Sequence, residues 1–457
     1  MKRLLTLLSL LFITIANAQV VISDVSLQEA FQLAKNNGKI LLLMIESPEC
    51  IQCNEVAKQG LSTPEVSSAI NKSCITIKIK PGSKNFEQAD SLYSIENSMG
   101  LLFLDAEGNI LNRYRNTTTL ASMYVDQLNK ALAKKEHPDN LLKELQTAYD
   151  SGKKDFTLLY QLVRKKNELE LEHDLLTEEM LDLVPTDSAT SLTFIQFLAE
   201  QAPLYDSKAY KFMHKDTRNF NDAWFLMNLQ KRVSINNRII AKSKNKAIKD
   251  KNRVYAERVA TMAAATHTDR SLARKSHDRN MIDYFKAIKD TANFLFTSVK
   301  YYDQYLMSIN VDSLKHADSL RLKEMLAAAT PVSVPSSERQ TTPNGVAFVR
   351  SSVQYAPIMQ GYTNELNDGA WTLYTYTHET VYMTKALDWA KRAFEFFENP
   401  AAMDTYARLL YRTGNKEEAI AMEEKAIQLS KTRRMPPGEY DDVLKKMRSG
   451  ITTIDKY

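Results

Sequence analysis

Cysteine is scarce in this chain. Three are present in 457 residues, too few and too odd in number for a fold stapled by disulfides. Glycine is scarce as well. Its 12 residues fall well under the roughly 7% of average usage, which disfavours a turn-rich all-β architecture and points to helix. None of the seven histidines precedes His137. The N-terminal cysteines therefore have no imidazole nearby in sequence, and two thiolates supply only half of a tetrahedral zinc site. No metal and no cofactor is expected. Neither sign of charge dominates: the formal net charge is +5, which gives no warrant for nucleic acid. Beyond the N-terminus no apolar run approaches 18 residues, so no membrane span is expected there. What the chain does have is 44% apolar residues, enough to fill the two or three domains that its length suggests.

The first residues read as a processing signal. Met1-Lys2-Arg3 is basic, residues 4–15 are apolar apart from Thr6, Ser9 and Thr14, and Ala16-Asn17-Ala18 gives a small-x-small pattern before Gln19. A signal peptide over 1–18 is expected, and with it an exported protein, periplasmic or secreted. In that compartment two of so few cysteines are better read as a working pair than as a framework.

That pair is Cys50-Ile51-Gln52-Cys53. It follows the apolar run Ile40-Leu41-Leu42-Leu43-Met44-Ile45 and precedes a helix-compatible stretch from residue 54. A thiol at a strand-to-helix junction meets the positive end of the helix. Its thiolate is favoured there and becomes a nucleophile. A second thiol three residues on can attack the resulting mixed disulfide. Cys50 is the candidate nucleophile and Cys53 the candidate resolving thiol. Cys74 opens a later strand; it reads as a small buried apolar residue or as a third thiol that regulates the pair.

Around the pair the chain alternates. Residues 25–36 carry Leu27, Ala30, Phe31 and Ala34 at helical spacing. Residues 74–80 alternate apolar and polar as a strand. Leu101-Leu102-Phe103-Leu104-Asp105-Ala106-Glu107-Gly108-Asn109-Ile110 reads as strand, turn and returning strand, and residues 119–134 as a helix. The order is αβαβαββα with the dithiol after the second element. In this stretch the chain resembles the thioredoxin superfamily. The resemblance implies a central sheet with helices on both faces, an exposed attacking Cys50 and a resolving Cys53. Three places differ from the family. Glu49 stands where a tryptophan is usual, and its carboxylate disfavours a neighbouring thiolate. Met44 replaces a buried acid. Ser98-Met99-Gly100-Leu101 replaces the loop with a cis-proline, so Met99 and Gly100 occupy the place that presents backbone to the substrate. Glu49, Met99, Gly100 and Cys74 are thus candidate modulators.

From His137-Pro138 onward strand signals fade and helical patterns with short polar breaks take over. Residues 231–279 hold 14 Lys/Arg against 4 Asp/Glu. They read as solvated helix faces or a surface for an acidic partner. With Tyr255 as the one aromatic there, the stacking platform for single strands is missing, so no nucleic acid is expected. Residues 331–346 form the best linker. Beyond it Ala386 and Ala393 stand 33 residues before Ala419 and Ala426, in a stretch that resembles tetratricopeptide repeats, with Gly414 ending a helix. The organisation expected is a signal peptide (1–18), a thioredoxin-like α/β domain (19–136), a helical domain (137–330), a linker (331–346) and tetratricopeptide-like repeats (347–457). As a whole the chain resembles exported thioredoxin-like proteins of gram-negative bacteria with long helical tails. The resemblance implies a thiol–disulfide oxidoreductase acting on protein thiols and disulfides, with the repeats holding a protein partner. The alternative is a redox-inactive head on a scaffold that serves as an interaction module in the cell envelope.

Overall fold

A computed structural model of the chain describes residues 21–22, 25–47, 50–95, 99–137, 139–328, 357–433, 439–451 and 454. The expected signal peptide and the linker lie outside them, as does Glu49. The chain divides between Ile235 and Asn236 into two compact units.

The first unit begins with an α/β head: β1 (Val21–Ile22), α1 (Leu27–Asn36), β2 (Ile40–Ile45), α2 (Ile51–Leu61), α3 (Pro64–Ser73), β3 (Cys74–Ile79), α4 (Lys84–Tyr93), β4 (Gly100–Leu104), β5 (Ile110–Tyr114) and α5 (Ala121–Glu136). The sheet order is β1-β3-β2-β4-β5. β3 runs parallel to β1 and β2, and β4 runs antiparallel to β2 and β5. The two-residue edge strand β1 was not foreseen from the sequence.

The uninterrupted apolar run of β2 follows from its central place. Leu41, Leu43 and Ile45 face one core with Leu27, Ala30 and Ala34 of α1. Ile40 and Leu42 face the other, with Val66 and Ile70 of α3 and Tyr124 and Leu128 of α5. A strand covered on both faces has no polar side to present. Ser26 caps α1 in a reciprocal capping box with Glu29, and Pro64 stands in the first turn of α3.

Helices complete this unit: α6 (Leu141–Asp150), α7 (Phe156–Glu168), α8 (Asp174–Leu181), α9 (Thr186–Ala189), α10 (Leu192–Glu200), α11 (Lys208–Met213) and α12 (Thr217–Leu226). Arg113 of β5 ties them to the head. Its Nη2 donates to the Tyr93 carbonyl at 2.7 Å and its Nε lies 3.6 Å from the Glu170 carboxylate. An α/β head followed by a largely helical remainder is compatible with the thioredoxin-like head expected.

The division between units falls within α13 (Leu229–Lys249). The second unit continues with α14 (Arg253–Ala265), α15 (Arg270–Ala287), α16 (Thr291–Tyr302), a π-helical turn over Asp303–Met307, α17 (Val311–Ala328), α18 (Ile358–Tyr376), α19 (Thr380–Phe396), α20 (Pro400–Arg412), α21 (Lys416–Thr432) and α22 (Tyr440–Arg448). The content is helical and repeat-like: α18 packs on α19 and α20 on α21, each pair joined by three residues. Ala386 and Ala393 of α19 and Ala419 and Ala426 of α21 are fully buried, because small side chains let neighbouring helices approach closely. Gly414 follows α20 at φ +98°, a conformation that favours glycine at a helix C-terminus. Trp389 is fully buried, and its Nε1 donates to Asp303 at 3.0 Å.

The basic stretch lies on α13, α14 and α15, and part of its charge is answered within this unit. Lys244 pairs with Asp283 at 2.9 Å, while Lys275 and Arg279 meet Glu365 at 3.0 and 3.3 Å. A second polar cluster is more deeply buried. Arg408 Nε donates to Asp404 Oδ1 at 2.8 Å, and Glu423 of α21 is fully buried nearby. Burial, then the Asp404 charge, push the Glu423 carboxyl up to about 9 against the opposing pull of Arg408.

Candidate functional site

Cys50 is the N-cap of α2, and its Sγ accepts the Cys53 backbone N–H at 3.2 Å. The two cysteines form a disulfide with Cα atoms 5.2 Å apart, inside the usual range for such a bond. Serine, threonine, aspartate and asparagine are the usual N-cap acceptors; here sulfur takes that role. A sulfur at a helix N-terminus lies where the helix dipole favours negative charge. No acidic residue occupies the first turn of α2 to oppose this.

The loop before the pair is held by side chains. Ser47 Oγ accepts from the Cys50 N–H at 3.2 Å. Asn54 then clamps Ser47 twice: its Oδ1 accepts the Ser47 N–H at 3.0 Å, and its Nδ2 donates to the Ser47 carbonyl at 2.8 Å. Nothing in the spacing of the sequence singled out Asn54 or Ser47. The signal available was an amide one position after a dithiol and seven after a serine. Glu46 pairs with Lys78 of β3 beside the loop, and its N–H donates to the Ile79 carbonyl at 3.2 Å.

Gly100 opens β4 opposite Ile45, the last residue of β2. Its φ is +109°, and a Cβ there would lie 2.1 Å from the Tyr114 carbonyl oxygen. Glycine is thus required by the backbone itself. Met99 precedes it, half-buried, and no cis peptide bond occurs among the described residues. Gly100→Ala is expected to cost about 1–3 kcal/mol, read as a lowered urea midpoint with an unchanged slope. An unaltered midpoint would show that the strand accommodates the methyl group.

Cys74 stands apart from the pair. It aligns with Ile40 at the start of β2, whereas the dithiol follows Ile45 at the other end, roughly 16 Å further along the strand direction. Burial pushes its thiol up to about 12, against the nearby Lys39 and Lys135 charges, so it stays protonated and a poor nucleophile at neutral pH. Among the described residues, Glu172, His173 and Asp174 bring their ligand-type atoms within 4.8 Å. Glu172 Oε1 accepts the His173 and Asp174 N–H groups at 3.1 and 2.8 Å, so this carboxylate is engaged by the backbone just before α8. No helix among the described residues is long and apolar enough to cross a membrane.

No protein-family model matches this chain, and no curated protein matches it.

Proposed function

We propose that the head is thioredoxin-like and that Cys50 and Cys53 are a redox pair exchanging disulfides with exported proteins. The observation that carries this reading is the place of the pair: a dithiol capping the helix that follows a central strand. In the reducing direction the Cys50 thiolate attacks one sulfur of a substrate disulfide. A Cys50–substrate disulfide forms, and the other substrate sulfur leaves as a thiolate that takes up a proton. Cys53, deprotonated, then attacks Cys50 Sγ, and the second substrate thiolate departs. The substrate disulfide is reduced and the protein dithiol is oxidised. Run backwards, the same steps oxidise a substrate dithiol.

The N-terminal basic–apolar–small pattern supports export, and an oxidising compartment is where such a pair finds disulfide substrates. The α18–α21 hairpins, with small residues 33 positions apart, support tetratricopeptide-like repeats and a role in holding a protein partner. Those same hairpins favour a second reading, in which the head is inert and the helical units form the working surface.

The reduction potential of the Cys50–Cys53 pair separates the two. Thiol labelling of the purified chain across a glutathione series is expected to give a value between roughly −120 and −270 mV, the span of known oxidoreductases. A pair that stays oxidised to below roughly −300 mV is a structural disulfide, and the scaffold reading then stands.

A further inference from the structure

α2 carries the dithiol at one end and is anchored at both. At its start Asn54 clamps Ser47. At its close Leu61 is buried and Gly60 packs so tightly that a Cβ would lie 2.3 Å from the Thr118 carbonyl oxygen. Between these anchors the helix turns Glu55, Ala57 and Lys58 to the space beside it, and Ala57 is the only apolar one of the three. The space left holds a cavity of about 580 Å³. It falls inside the range of roughly 300–1,000 Å³ typical of small-molecule sites.

The walls define what fits. Met44, Ile45, Ala57, Leu61, Leu101 and Tyr124 supply an apolar lining. The charged residues at the cavity come as pairs, Glu46 with Lys78 and Glu55 with Lys58, so the lining carries no net charge to select an ion. Ser62, Ser67, Asn116 and Thr117 add uncharged polar groups to the wall. Asn54, the residue after Cys53, forms part of the wall, which sets the site beside the dithiol.

We propose that this cavity is a binding site for a neutral, apolar organic ligand of small-molecule size. The inference does not depend on the redox reading, because it concerns a cavity and is tested by binding alone. The probe is N-phenyl-1-naphthylamine, neutral and apolar, titrated by fluorescence into the oxidised full chain. Saturable one-to-one binding is expected. In Ala57→Phe the added ring takes up the space, and the dissociation constant is expected to rise at least about tenfold. Should Ala57→Phe fail to fold by circular dichroism, the parent chain labelled with methyl-13C methionine decides the matter. The Met44 methyl resonance, assigned through Met44→Leu, is expected to shift as the probe saturates. Non-saturable fluorescence, an unchanged constant in a folded Ala57→Phe, or an unmoved Met44 signal at saturation each overturns the proposal.

Discussion

Cys50→Ser is expected to bring disulfide exchange down to the uncatalysed background, while Cys53→Ser accumulates mixed disulfides. The two outcomes differ because the two sulfurs have different tasks in the proposed cycle. A serine hydroxyl at the N-cap can still accept the helix N–H groups. It cannot attack a disulfide sulfur, so the first step is lost and nothing downstream forms. With Cys53 replaced, the first step proceeds and the intermediate has no internal thiol to resolve it. Non-reducing electrophoresis after incubation with a disulfide-containing protein would show a covalent adduct for Cys53→Ser alone. Loss of fold is a small part of either result. The bridge closes a loop of only two intervening residues, and chain-entropy arguments give such a bridge about 2 kcal/mol. Thermal unfolding monitored in parallel separates that loss from lost chemistry. Should both variants exchange disulfides like the parent, the redox reading fails.

The dithiol was legible because its signal is local. An apolar run, a short polar loop and two cysteines three apart sit within 14 residues of sequence, and β2 and α2 form where that order places them. The start of α2 was less visible: helix was expected from residue 54, yet it begins at Ile51 because a cysteine serves as its cap. β1 escaped notice since two residues carry no periodicity, and only pairing with Thr76 and Ile77 makes them a strand. The cavity under α2 had no sequence signal at all. Its lining comes from β2, α2, α3, β3, β4, α5 and the loop after β5, a convergence that no local pattern of residue types records.

Glycine 100 and glutamate 423 mark the two ways a side-chain reading goes astray. In the sequence Gly100 stands out by what it replaces. In the fold it is explained by its own backbone angle and the Tyr114 carbonyl. Glu423 lies in a helix with several other charged residues, Lys416, Glu417, Glu418, Glu424 and Lys425. Yet it falls four residues after Ala419 and three before Ala426, on the very stripe that the repeat buries. Helical spacing alone could have placed it in the core, against the expectation from its charge.

That burial makes the second unit sensitive to alkali. The Glu423 carboxyl is raised to about 9 by desolvation and by Asp404, against about 4.3 in an unfolded chain. Between those limits the folded state holds a proton that the unfolded state has released. Stability from this group is therefore full below about pH 4.3 and is lost as pH rises towards 9. Asp404, Arg408, Tyr440 and Asp441 are the charged or titratable groups that act on it. Glu423→Gln keeps the shape and, like the neutral acid, can donate a hydrogen bond towards Asp404 without ever ionising. Its unfolding free energy is expected to lose this slope and to exceed the parent's at pH 8 by on the order of 3 kcal/mol, with little difference near pH 5. Urea unfolding of the full chain at both pH values, followed by tryptophan fluorescence, reads the effect, since Trp371 and Trp389 lie in this unit. Parallel profiles for parent and variant would mean that Glu423 is ionised and solvated in the folded chain, and the buried neutral acid would have to be abandoned.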